Sequence, residues 1–180
     1  MKRMILIMAC VVPVTLTYAQ KKKVLVAYFS CTGHTETVAK AIAQATDATL
    51  YRIQPQKAYS SADLDWRDKQ SRSSKEMDNP HVRPALADRQ AQAETYDVIF
   101  LGYPIWWDRS PRIINTFIES YRLKGKTVIP FATSGSSSIQ NSVKELKQQY
   151  GDIEWHSGKL CNDGTSDAVK WAEKVISAQQ

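Results

Sequence analysis

The sequence predicts a single α/β domain, a doubly wound parallel sheet of five strands with helices on both faces. Three observations predict it. Short apolar runs of strand length alternate with longer stretches of helical period. The apolar runs are near-continuous rather than alternating, as in strands covered on both faces. The stretches between them are long enough for the right-handed crossovers that join parallel strands.

The first residues, MKRMILIMACVVPVTLTYAQ, run from a basic start through an apolar middle to a small-residue exit. That order reads as a secretory signal peptide over residues 1–19, cleaved after Ala19. The apolar run from Met4 to Val14 is too short to span a bilayer. A lipoprotein reading would use Cys10, but the apolar run before it is short and continues beyond it. The domain is then residues 20–180, and the expected location is outside the cytoplasm, in a bacterial periplasm. The chain has 180 residues, about one domain's length, enough for an ordinary core without staples.

The elements follow in order. Residues 23–30, KVLVAYFS, form the first strand, and 34–46 put Val38, Ala41, Ile42 and Ala45 on one helical face. Residues 48–53 are a second strand. Residues 54–95 are polar and irregular, broken by Pro55, Pro80 and Pro84, with a helix expected over 62–76. YDVIFLGYP, 96–104, is the clearest strand; the helix of 110–121 has Ser110 as its cap and Pro111 at its first position. Residues 126–134 are the fourth strand, in which Pro130 must sit where no ladder donor is needed. The helix of 137–151 has Ser137 and Gln140 at capping-box spacing and Gly151 as its stop. A short strand near 154–160 and a helix over 166–178 complete the set.

Charge and cysteine count exclude several classes. Loss of residues 1–19 removes two of the 24 basic residues and none of the 18 acidic ones, leaving +4 (22 minus 18). The charges are scattered, with no basic stripe interleaved with aromatics, so nucleic acid is not an expected partner. Cys31 and Cys161 are too few for a disulfide scaffold. His81 and His156 lack ligand spacing, and no metal site is expected.

Ligands of open parallel sheets bind beyond the carboxyl ends of the strands, which directs attention to three strand-to-helix loops. The first, 30–35, is Ser30, Cys31, Thr32, Gly33, His34 and Thr35. It sets hydroxyls and a glycine against a helix N-terminus, an anion site suited to phosphate. It lacks the Gly-Lys-Ser/Thr ending of a nucleoside triphosphatase loop and the GxGxxG of dinucleotide folds. The second loop brings Pro104, Ile105, Trp106 and Trp107 to the end of the central strand, where indoles can stack on a planar ring. One of the pair, Trp107, can equally pack beneath the loop. The third, with Ser134, Gly135 and Ser136, offers backbone donors and acceptors with little bulk, so a polar heterocycle's edge can approach closely.

These three loops in this order resemble the flavodoxin-like FMN-binding family across the whole mature chain. The sequence Ser30-Cys31-Thr32-Gly33-His34-Thr35 is similar to that family's phosphate loop, and GYPIWW, 102–107, looks like the subgroup with an aromatic pair after its third strand. The resemblance implies strand order 2-1-3-4-5 and FMN as cofactor. It puts the phosphate against Ser30 and Thr32 to Thr35, the isoalloxazine against Pro104 to Trp107, and its pyrimidine edge near Ser134 to Ser136. No side chain is needed for acid–base catalysis, because the flavin carries the redox chemistry.

The chain departs from electron-carrying flavodoxins in two respects. They are strongly acidic, whereas this mature chain is at +4. They also place a second aromatic after the fourth strand, where this chain has TSGSSS. Both favour a flavin-dependent oxidoreductase, with NAD(P)H, a quinone or a redox protein as partner, over a pure shuttle, although Trp106 or Tyr59 could fold over the ring. The alternative is a non-redox binding module for a phosphorylated aromatic ligand. Cys31 is expected to be a spacer rather than a nucleophile, since residues 32–40 lack the arginine of a phosphatase loop, and His34 a first-turn residue beside the phosphate.

Overall fold

The computed structural model describes residues 22–179, so the signal peptide expected over residues 1–19 lies outside the described residues. Five parallel strand positions are ordered β2-β1-β3-β4-β5, as the resemblance implies. They are β1 (Val24–Tyr28), β2 (Thr49–Arg52), β3 (Val98–Pro104), β4 (Thr127–Thr133) and β5 (Glu154–Trp155), the last continued beside β4 by β6 (Lys159–Leu160).

Period two divides the strands between two cores. Leu25, Ala27, Ile99, Leu101, Val128 and Ala132 face α3 (Arg112–Ser120) and α4 (Gln140–Gln149), meeting Ile113, Phe117, Val143 and Leu146. Val24, Val26, Val98, Phe100, Ile129 and Phe131 face α1 (His34–Thr46) and α5 (Thr165–Ser177), meeting Val38, Ile42, Ala168 and Ala172. Gly102 lets the Phe131 ring lie across its neighbour strand, where a Cβ would come within 2.2 Å of that ring.

The fifth strand is interrupted, and Pro130 explains where. The carbonyls of Lys126, Val128 and Ala132 accept from Glu154, His156 and Cys161, so even-numbered residues of β4 face the fifth strand. Pro130 faces it too but has no N–H to give. The register with β4 advances by one residue between the Val128–Trp155 and Phe131–Lys159 pairs, which places a bulge opposite the proline.

Two expected boundaries change. The helix expected over 62–76 is only α2 (Arg72–Asp78), capped by the Ser71 side chain. Before it, Asp63, Asp65 and Asp68 accept from the N–H groups of Ser60, Arg67 and Gln70, local bonds that turn the chain and compete with a helix. Ser110 and Ser137 do not cap their helices, whose capping positions are Pro111 and Ile139, without side-chain bonds. Buried Arg112 on α3 donates to the Glu76 and Met77 carbonyls, fixing α2 beside the sheet's carboxyl edge.

Candidate functional site

Parallel strands deliver every strand-to-helix loop to one edge, and two adjoining clefts open there. One, about 440 Å³, gathers all the sequence-predicted site residues except Gly33 and His34. The other, about 630 Å³, is lined by His34. They share Thr32, Pro104, Ile105, Trp106, Ser134 and Gly135 as a common wall.

Ser30, buried at the end of the first strand, accepts the Gly33 N–H through its hydroxyl at 3.1 Å. Gly33 adopts φ 91°, a left-handed conformation natural to glycine, and occupies the cap position of α1. Intrahelical bonding begins with Thr37, whose N–H donates to the Gly33 carbonyl. The N–H groups of His34, Thr35 and Glu36 therefore have no acceptor within the helix. Thr32 and His34 are exposed, whereas Thr35 is buried and shares a 2.8 Å hydroxyl bond with Thr133 of β4. Half-buried Cys31 lines the smaller cleft, and burial pushes its thiol up to about 11. It is a neutral thiol at neutral pH, in keeping with a spacer.

The indole loop is a tight two-residue turn. Trp106 N–H donates to the Arg109 carbonyl at 3.0 Å and Arg109 N–H to the Trp106 carbonyl at 2.9 Å. Between them Trp107 and Asp108 have φ values of 45° and 62°. Turns of this hand favour Asn-Gly, so Trp-Asp here stores strain beside a cleft, a recurrent mark of functional loops. Trp106, not Trp107, is the indole that packs: it meets Phe29 edge-on at 5.7 Å and Tyr59 at 5.4 Å. Tyr59 lies against these rings, its hydroxyl on Glu76 and its ring under the Arg72 guanidinium. It supports Trp106 rather than folding over the cleft. Trp107 stays 45% exposed on the cleft's lip.

In the third loop the polar groups of Ser134 are committed. Its N–H donates to Asn162 Oδ1 at 3.0 Å, its carbonyl accepts from Asn162 Nδ2 at 2.7 Å, and its hydroxyl accepts from the Ser136 and Ser137 N–H groups. The Gly135 peptide and the Ser136 hydroxyl are left to face a ligand.

Two groups of lining residues were missed by sequence reasoning. Cys161, Asn162, Gly164 and Thr165 reach the larger cleft because the last strand delivers its loop to the same edge. Their signal was available: the sheet's parallel order applies to the fourth such loop as to the first three. Leu64, Trp66 and Ser73 reach the smaller cleft from the irregular segment. A lone tryptophan in that polar stretch was the only hint.

The arrangement fits a planar phosphorylated ligand, with unpaired helix N–H groups at one end, an indole wall, and small polar groups opposite. The description flavodoxin belongs to the family model that matches residues 23–175. The chain is similar to candidate flavoproteins of known structure from Bacteroides eggerthii and Bacteroides uniformis. Each is 53% identical with a TM-score of 0.82; the matches cover 87% and 86% of this chain and 98% and 99% of those chains. A flavoprotein in complex with FMN from Lactobacillus acidophilus is 23% identical over 84% of this chain and 99% of that one, with a TM-score of 0.60, a likeness of fold. No curated protein matches the chain.

Proposed function

The chain belongs to the flavodoxin family, and on that premise we propose that it is an exported FMN-dependent oxidoreductase whose cofactor exchanges electrons directly with a small molecule. The FMN phosphate is held by Ser30 and the N–H groups and hydroxyls of residues 32–35. Pro104 to Trp107 wall the ring, and Ser134 to Ser136 meet its polar edge. Bound FMN supplies one- or two-electron chemistry, and the protein supplies binding and orientation.

The observation that carries the oxidoreductase reading over a shuttle is the open side of the smaller cleft. Residues 134–138 facing the indole wall carry no ring, and Trp66 on the far lip is 71% exposed and touches no other ring among the described residues. The mature charge of +4 also lacks the acidic field that steers carriers to basic partners.

The purified protein should be yellow, or should gain FMN on titration; a protein that stays colourless and binds no FMN refutes the cofactor reading. The FMN-loaded protein should then be bleached by NAD(P)H, or after chemical reduction be reoxidised by a quinone, with no second protein present. Exchange only through another redox protein would make it a carrier.

A further inference from the structure

The fifth strand stops before its neighbour does. Even-numbered residues of β4 face it, and the Cys161 N–H makes the last backbone bond of that row, to the Ala132 carbonyl at 2.7 Å. Ser134 is next in the row, but Gly164, at φ 97°, turns the chain into α5 instead. The Asn162 side chain takes the missing strand's place. Its Oδ1 accepts the Ser134 N–H at 3.0 Å, and its Nδ2 donates to the Ser134 carbonyl at 2.7 Å. One carboxamide thus offers both the acceptor and the donor of a peptide unit.

Both bonds are exposed to solvent, where water competes, so they add little to stability. Their effect is on direction. The Ser134 carbonyl and the Gly135 N–H share one planar trans peptide and point opposite ways. Holding the carbonyl on Asn162 therefore aims the Gly135 N–H away from Asn162. Packing does not hold this peptide: Gly135 is exposed, and a Cβ there would meet nothing within 4 Å. The Gly135 N–H has no acceptor among the described residues. Beyond it, the Ser134 hydroxyl fixes the loop by accepting from the Ser136 and Ser137 N–H groups at 3.3 and 2.9 Å. A free N–H held in one direction at the wall shared by both clefts is a preorganised donor.

We propose that Asn162 is a positioning residue that sets the redox poise of bound FMN by aiming the Gly135 N–H at the polar edge of the ring. The proposal rests on the FMN reading above and adds to it a residue that acts through the Ser134 peptide. Reduction adds electron density at the ring's polar edge. A donor fixed there binds the reduced cofactor more tightly than the oxidised one and raises the potential. With Asn162 truncated, the peptide is free to rotate and its N–H is given over to water.

Anaerobic redox titration of the FMN-loaded protein against a reference dye tests the proposal. Asn162→Ala should weaken binding of reduced FMN about tenfold more than binding of oxidised FMN, which lowers the two-electron potential by about 30 mV. Asn162→Gln, which keeps both the donor and the acceptor, should restore about half of that shift or more. In the FMN-free protein, the Ser134 amide of Asn162→Ala should exchange its hydrogen about tenfold faster than in the parent, with unchanged circular dichroism. An unchanged or raised potential, a glutamine variant no better than the alanine one, or unchanged Ser134 exchange would each overturn the proposal. So would equal loss of both forms of FMN, or an Asn162→Ala protein that does not fold, since either would make the residue a general support. Failure of the unsubstituted protein to bind FMN would overturn the cofactor reading instead, so the two failures are distinguishable.

Discussion

Asp108 allows the strained indole turn to be tested without touching a ligand contact. It is exposed, its carbonyl accepts from Asn141 Nδ2 at 3.1 Å, and its side chain has no partner among the described residues. At φ 62° an L-residue bears about 1–2 kcal/mol of left-handed strain, less for Asp and more for a β-branched residue. Asp108→Gly removes about 1 kcal/mol of that strain and adds about 0.5 kcal/mol of unfolded-chain entropy, a net gain of about 0.5 kcal/mol. Asp108→Val adds about 1 kcal/mol. For a domain of this size 1 kcal/mol moves Tm by about 2–4 °C. Calorimetry should therefore find the glycine variant about 1–2 °C above the parent and the valine variant about 2–4 °C below it. If the turn positions Trp107 against the flavin, the valine variant should also lose about tenfold in FMN affinity, the worth of one misplaced aromatic stack. A valine variant with parental Tm and FMN affinity would show that the turn is neither strained nor needed for binding.

Thr32→Ala should weaken FMN binding more than riboflavin binding, because exposed Thr32 belongs to the loop proposed to hold the phosphate; equal losses for both ligands, read by fluorescence titration, would remove the phosphate from this loop. Thr35→Ala is a less clean test, since it also strips the half-buried Thr133 hydroxyl of its partner and should lower stability by about 0.5–1.5 kcal/mol in the ligand-free protein. Gly102→Ala drives a Cβ into the Phe131 ring and should cost about 1–3 kcal/mol by denaturant titration, with loss of near-ultraviolet aromatic signal. Burial raises the Cys31 thiol from 9.0 to about 11, so the neutral form persists as pH rises past the ordinary thiol range. Iodoacetamide labelling of Cys31 in the ligand-free protein should keep accelerating up to about pH 11; a plateau near pH 9 would contradict the buried thiol.

The elements that could be read in the sequence are those whose causes are local or periodic. The near-continuous apolar runs of β1, β3 and β4 announced strands covered on both faces, and the two cores on either side of the sheet bear out that reading. Pro130 announced a missing ladder donor, and the bulge in the fifth strand lies opposite it. The 62–76 segment failed because its aspartates suit two local structures. Helical spacing says nothing about whether Asp63, Asp65 and Asp68 will instead bond the backbone two or three residues away. The choice between Trp106 and Trp107 was likewise closed to sequence reasoning. Which indole packs depends on the hand of a turn between Trp106 and Arg109 whose Trp-Asp sequence runs against the usual preference for Asn-Gly.

The same distinction separates the two halves of the site. The proposed phosphate end is a property of one contiguous loop, in which the Ser30 hydroxyl, the left-handed Gly33 and the first turn of α1 are set by residues within a few positions of each other. The ring end is assembled from residues distant in sequence. Asn162 clamps the Ser134 peptide across 28 residues, and Trp66 reaches the rim from a segment with no regular period. On the function proposed above, cofactor class follows from the local half and choice of substrate from the distant half. Substitutions at Trp66 should alter what reacts with the flavin while those at Thr32 alter whether the flavin is held. A chain in which both sets of changes affected only FMN affinity would have a single binding function spread over both halves.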